Sequence, residues 1–277
     1  MEIPCAPQVT LEQDGGAGDI KLFPTCNESE HEKLRSRRTV SYMVAMGRIG
    51  IRVLVAAVIA VIAPSGLPGD ATAAQMATLG GGSGILIEGR AVCTLTTVGY
   101  DSADRMVGVT AGHCADIGMS VQAETQQTGV IGTVAAVDHS SNDFAVIEFD
   151  RTKVTPVRQV AQTFIGGIGA PPQPGDIVCK NGRTSGFDCG VVWDTHGWWF
   201  RSQLCSRPGD SGGPVTLGDR LVGMNIGHIG IVVLGVTVFD MACGTAVVHD
   251  PAVAIDIGVI LSEMDGSGGV GAGFRPV

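Results

Sequence analysis

The chain has 277 residues, long enough for one large domain or two lobes sharing an interface. With 41 glycines, 44% hydrophobic residues and only 16% charged ones, it suits a turn-rich β protein and argues against a helical bundle, where Ala, Glu, Lys and Leu would dominate. The formal net charge is −9 and the basic residues of the main body are scattered, which excludes the basic stripe that a nucleic-acid partner would need.

Residues 1–47 read as a polar N-terminal extension of mixed charge, longer than the basic region of an ordinary export signal. Two accounts stand: translation starts at Met43 or Met46, making the earlier residues a start-codon artefact and removing Cys5 and Cys26, or the extension is a cytoplasmic tail. Residues 48–74 read as a secretory signal peptide. Arg48 and Arg52 precede an uncharged apolar run over 53–63, and the small residues "ATAA" follow at 71–74. That run is too short to span a bilayer, which takes about 20 residues. Cleavage after Ala73 or Ala74 is expected, with an uncleaved anchor as the alternative. The mature protein is then secreted, extracellular or in the periplasm or cell envelope, with no stable membrane association.

From residue 75 the pattern changes to short apolar runs broken by Gly, Asp and Asn. "GILIEG", "RAVCTLTTV", "RMVGVTAG", "GVIGTVAAV" and "DFAVIEF" each predict a strand, and together they make a first β lobe over 75–165. "FIGGIGAPPQPGD", at 164–176, has no apolar period and predicts the connector. A second β lobe over 166–277 holds "DIVCKNG", "DCGVVWDTHGWWFRSQL", "GPVTL", "RLVGMNIG" and "IVVLGVTVF". Ile257, Ile260, Leu261 and Met264 recur at helical spacing and predict a short helix over 257–264, capped by Asp256 and stopped by Gly266. Trp193, Trp198 and Trp199 are expected in lobe packing. His139, His196 and His249 show no metal spacing and are expected at the surface.

Eight cysteines are present: Cys5, Cys26, Cys93, Cys114, Cys179, Cys189, Cys205 and Cys243. None forms a C-x-x-C pair, which argues against a zinc ribbon or a dithiol redox site. An even count behind an export signal reads as disulfides.

The chemistry concentrates in "SRPGDSGGPV", residues 206–215, where glycines and prolines surround Asp210 and Ser211. Glycine serves where the backbone takes φ > 0 or approaches something closely. A serine on such a turn is a weak nucleophile until a base takes its proton. "VTAGHCAD" places His113 just after an apolar run, and "SSNDFAVIEF" places Asp143 at the start of another. The three supply the roles of acyl transfer: Ser211 attacks, His113 removes and returns its proton, and Asp143 holds the imidazole in the right tautomer. The backbone N–H groups of Gly209 and Ser211 are the expected oxyanion donors.

"TAGHC", "NDFAVI" and "GDSGGP", in this order and at these spacings, resemble the chymotrypsin-like (trypsin-like) serine proteases, and within them the small secreted bacterial branch that includes the streptogrisins. The resemblance runs over residues 85–264. It implies an all-β fold of two six-stranded antiparallel β-barrels with a short C-terminal helix, a monomer that hydrolyses polypeptide substrates, and neither cofactor nor metal. It implies the pairs Cys93 with Cys114, Cys179 with Cys189, and Cys205 with Cys243. It also implies an ion pair between Lys180 and Asp210 that would free activity from N-terminal processing; the alternative is a solvated lysine.

The same resemblance assigns substrate binding to Cys205, Ser206, Ile226, Gly227 and His228, and here the chain departs from the pattern. Ile226 stands where a serine is expected, which removes one hydrogen bond to Asp143. His228 stands where a glycine is expected, and is read as a rim residue in preference to a receptor for an acidic side chain. Cys205 stands at the pocket base where a trypsin carries an aspartate, so a small or apolar side chain is expected before the scissile bond. A protease-fold binding protein with little or no turnover, its cleft altered at Ile226 and His228, is the competing reading; an esterase or other acyl transferase is a third.

Overall fold

The computed structural model describes residues 76–126, 128–140, 142–229, 243 and 249–277, together with the backbone of Gln8–Leu11, Ile20–Phe23, Ile231–Val233 and Val236–Phe239. Gln8–Leu11 pairs antiparallel with Ile20–Phe23, giving a short hairpin within the N-terminal extension. The expected signal at 48–74, and Cys5 and Cys26, lie outside the described residues. Among the described residues no helix is long and apolar enough to cross a membrane.

The first lobe is built on one antiparallel sheet, beside which Ala77–Leu79 pairs parallel with Val154–Pro156. The sheet's strands lie in the order Arg275–Pro276, Thr97–Tyr100, Met106–Ala111, Phe144–Phe149, Val130–Asp138, Ser120–Ala123, Gly84–Ile87 and Ala91–Thr94. Ala91–Thr94 and Thr97–Tyr100 are separated only by Leu95 and Thr96, so the sheet curls back through one bent stretch of chain. Leu95 N donates to Ser83 O at 2.8 Å on one side of the bend, and Thr96 N donates to Val109 O at 2.8 Å on the other. Gly84–Ile87 alternates as a strand with one dry face should: Ile85 and Ile87 are buried, Gly84 and Leu86 half-buried. Met106–Ala111 is buried at every position, because its second face is covered as well.

The second lobe closes fully. Arg220–His228, Pro214–Leu217, Ile177–Gly182, Gly186–Thr195, Trp199–Ser202 and Ala252–Asp256 follow one another, and Ala252–Asp256 pairs back onto Arg220–His228. Val178, Val192, Phe200, Val215, Val222, Ala252 and Ala254 fill the barrel interior. Trp199, Leu221, Met224, Val253 and Ile255 face the other way and join the core of the first lobe. A strand buried on both faces reads as a continuous apolar run, which is why "AVAI" before the helix gave no strand alternation. Ser120–Ala123, short and half polar, was likewise not predicted. The connector is less featureless than its sequence, since Gly167–Ile168 pairs parallel with Arg220–Leu221.

The helix spans Ile257–Ser267, three residues beyond the expected end. Asp256 caps it as predicted, its Oδ1 accepting from Gly258 N at 2.7 Å and Val259 N at 3.4 Å. Gly266 does not stop it: an interior glycine costs a helix about 1 kcal/mol but ends nothing. Gly268, at φ 62°, takes the left-handed conformation that terminates the helix. Two further expectations are corrected. Trp193 is exposed on the outer face of its hairpin, while Trp199 is buried and Trp198 packs against the core. His249 is buried, with Nδ1 2.9 Å from Asp250 O, whereas His139 and His196 lie at the surface beside Asp116 and Asp194.

Burial raises the Asp256 carboxyl above its ordinary value, against the lowering effect of the two capping N–H groups. Its ionised form is therefore disfavoured in the fold, while the cap needs only an acceptor. Asp256→Ala is expected to lose about 1 kcal/mol of stability. Asp256→Asn, which keeps the acceptor, is expected to be at least as stable as wild type. Urea unfolding at pH 7 compares the three, and an alanine variant with an unchanged midpoint would remove the cap from the account.

Candidate active site

The strand Met106–Ala111 runs into a single turn of 3-10 helix, Gly112–Cys114, which carries His113. Phe144 pairs with Ala111 across the sheet, so the residue before it, Asp143, faces that turn. Gly112 N donates to Asp143 O at 2.8 Å, His113 N donates to Asp143 Oδ1 at 2.7 Å, and His113 Nδ1 lies 2.7 Å from Asp143 Oδ2. A carboxylate at that distance accepts a hydrogen bond from Nδ1–H, which leaves Nε2 as the unprotonated nitrogen of the neutral ring. Asp143 is fully buried and sits at φ 40°, a left-handed conformation that Asp tolerates better than most residues. Its side chain accepts no other hydrogen bond among the described residues, and the buried Ile226 offers none.

Ser211 stands on the opposite lobe. Its loop is held from the first lobe by the bent stretch: Thr94 N donates to Ser211 O at 2.8 Å, Thr94 Oγ1 to Gly209 O at 2.8 Å, and Thr96 Oγ1 to Gly212 O at 2.7 Å. Gly212 shows why glycine is needed. Its φ is 84°, and a Cβ there would lie 2.2 Å from Thr94 O and 3.0 Å from Ala111 N. Gly212, the residue after Ser211, is thereby brought beside Ala111, two residues before His113. No hydrogen bond joins Ser211 Oγ to His113 Nε2; such bonds commonly tighten only when substrate is bound. Gly209, at φ 97°, and Ser211 both have backbone N–H groups that donate to no protein acceptor among the described residues.

Lys180 and Asp210 are both fully buried, with Nζ 3.2 Å from Oδ2. Lys180 is therefore not a solvated lysine. Asp210 also accepts from Thr184 N at 2.9 Å, Ser185 N at 3.0 Å and Arg207 N at 2.9 Å, and the Ser185 hydroxyl bridges it to Lys180. Burial alone would raise the Asp210 carboxyl, but the Lys180 charge and these hydrogen bonds hold it below its ordinary value.

Cys93 is bonded to Cys114 beside His113, Cys179 to Cys189 across its hairpin, and Cys205 to Cys243 beside the loop that carries Ser211. Next to that last bridge, Ser206 Oγ accepts from Asn225 Nδ2 at 3.0 Å, and Arg207 Nη2 donates to Cys243 O at 2.9 Å. Gly227 and His228 are half-buried at the end of their strand, and the His228 side chain makes no hydrogen bond among the described residues. Thr94, Thr184, Ser185 and Asn225 were not singled out from sequence. Each is a common polar residue whose role depends on which carbonyl or carboxylate the fold brings to it.

No family model matches the chain. It is 26% identical over 167 residues to serine protease 2 of Streptomyces fradiae, covering 55% of this chain and 95% of that protein. It is 26% identical over 140 residues to streptogrisin-C of Streptomyces griseus, covering 44% of this chain and 29% of that protein. Among solved structures, Thermobifida fusca protease A superposes with a TM-score of 0.54 at 22% identity, over 73% of this chain and 99% of that one. The fold is chymotrypsin-like, and the sequence relatives with established names are serine proteases.

Breaking the buried pair leaves an uncompensated charge, so Lys180→Met is expected to cost about 3–5 kcal/mol at neutral pH. Because the folded Asp210 carboxyl is depressed, its contribution is fully present above the unfolded carboxylate value and is lost as pH falls through the folded one. The stability gap between wild type and Lys180→Met should therefore narrow on acidification. Urea midpoints of both proteins from pH 7 down to pH ~3 measure it; a gap independent of pH would show that Asp210 is not carried as a carboxylate.

Proposed function

We propose that this chain, a relative of streptogrisin-like serine proteases with their chymotrypsin-like fold, is a secreted endopeptidase that cuts polypeptides through an acyl-enzyme on Ser211. The observation that carries the reading is His113, doubly bonded to the buried Asp143, beside a loop that offers Ser211 with two free backbone N–H groups. Ser211 Oγ attacks the scissile carbonyl carbon as its proton passes to His113 Nε2. The imidazolium is stabilised by Asp143, which stays ionised. The carbonyl oxygen becomes an oxyanion and takes hydrogen bonds from Gly209 N and Ser211 N, each such donor being worth about 10²–10³ in rate. Collapse breaks the C–N bond, and the amine leaves with the proton from Nε2. Water then repeats the sequence against the ester, with His113 again as base, and releases the acid.

The three disulfides support an oxidising, extracellular destination. For the residue before the scissile bond we assign a small or apolar preference, on the neutral Ser206 and Asn225 beside the Cys205 bridge. Ile226, Gly227 and His228 are assigned to the strand that receives the substrate backbone. The ion pair of Lys180 with Asp210 is assigned the task of fixing the loop without a freed N-terminus.

The oxidatively folded protein should react with a fluorophosphonate probe at Ser211 and hydrolyse members of a peptide library. Ser211→Ala should abolish labelling, and Asp143→Asn should lower kcat by about 10⁴ with the fold intact. A folded, three-disulfide protein that neither labels nor turns over peptides would leave the binding-protein reading in its place.

A further inference from the structure

An oxyanion donor works only if its peptide plane is held, because a plane that rotates carries the N–H away. In a trans peptide the N–H and the preceding C=O point in opposite directions, and the chain has no cis peptide among the described residues. Fixing the carbonyl therefore aims the N–H. The Gly209 N–H shares its peptide with Pro208 O, and Pro208 O accepts from Thr184 Oγ1 at 2.8 Å. The Ser211 N–H shares its peptide with Asp210 O, which accepts from Asn225 Nδ2 at 3.2 Å and from Gly213 N at 2.9 Å.

We propose that Thr184 and Asn225 are positioning residues that aim the two oxyanion donors into the cleft from opposite flanks; the proposal rests on the hydrolase reading above. Thr184 comes from the turn after Ile177–Gly182, and Asn225 from the strand Arg220–His228. Gly209 needs such a lock, since glycine at φ 97° has no side chain to resist rotation of its peptide. Thr184 lies directly behind it, its Oγ1 only 2.5 Å from where a Cβ on Gly209 would stand. A hydroxyl has one proton to give, and here a second contact decides where it goes. Arg183 Nη1 donates to Thr184 Oγ1 at 3.1 Å, so the hydroxyl proton is left for Pro208 O. Arg183 is in turn gripped by Glu124 of the first lobe, through Nε to Oε2 at 2.9 Å and a second bond from Nη2 to Oε1. The aim of the Gly209 N–H is thus tied to both lobes.

Asn225 is fully buried and also bonds through its backbone to Gly212 N and Gly213 O, so replacing it puts the fold at risk. Thr184 is exposed and gives the cleaner test. Wild type, Thr184→Val and Thr184→Ser are compared as full chains on a library-selected peptide substrate, with affinity for a peptide aldehyde, which forms an oxyanion at the same place, as a second readout. Thr184→Val should lower kcat by about 10–100-fold with KM within about twofold. It should weaken the aldehyde in proportion and leave the unfolding midpoint unchanged, and Thr184→Ser should restore both readouts. Glu124→Gln should move them the same way by less. An active wild type beside a Thr184→Val variant with unchanged kcat and aldehyde affinity overturns this inference alone. A folded wild type that hydrolyses nothing overturns the hydrolase reading and this inference with it.

Discussion

The Asp210 carboxylate, buried one residue before Ser211, is the point on which the candidate site is built. A charge placed there without partners would not be tolerated, and its surroundings exist to satisfy it: Lys180 from a neighbouring strand, the Ser185 hydroxyl, and three backbone N–H groups from two loops. Every one of those donors belongs to the second lobe, so satisfying Asp210 ties the Ser211 loop to its own barrel. The hairpin turn that supplies Thr184 and Ser185 is drawn against the loop by the same bonds, which puts the Thr184 hydroxyl within reach of Pro208.

The other half of the site is held across the interface. Thr94 uses its N–H and its hydroxyl on two carbonyls of the loop, and Thr96 takes a third. These threonines lie at the bend that closes the first sheet on itself, where the chain leaves one strand partner for another and its polar groups can turn outward. The buried faces of Met224, Val253 and Ile255 extend the first lobe's core into the second, so the two lobes share apolar surface behind the polar seam. The Ser211 hydroxyl comes from one lobe and the His113 imidazole from the other, so the candidate site draws on both.

Much of this was legible in the residues. The strand runs were found because alternation and turn residues mark them, and the helix because its apolar stripe and its Asp256 cap are local signals. The helix end was misjudged because Gly266 and Gly268 look alike in sequence, and only backbone conformation separates an interior glycine from a terminating one. Ala252–Asp256 escaped because burial on both faces erases the period that identifies a strand. The glycines of 206–215 stood out as a cluster around Asp210 and Ser211, whereas Thr184 and Asn225 did not, because a threonine or an asparagine is ordinary anywhere.

What the sequence determined by itself are the features that depend on residue type and order: Ser211, His113 and Asp143 with their flanking motifs, the glycines of the loop, and the cap of the helix. Those are properties of single residues and their immediate neighbours. What only the tertiary structure decided is which polar group meets which: the closure of the second barrel by Ala252–Asp256 onto Arg220–His228, the grip of Thr94 on the Ser211 loop, and the pairing of Thr184 with Pro208 O and Asn225 with Asp210 O. A hydrogen bond needs its partners within about 3 Å and suitably aligned, and contacts between residues far apart in the chain are fixed by the folding of everything between them.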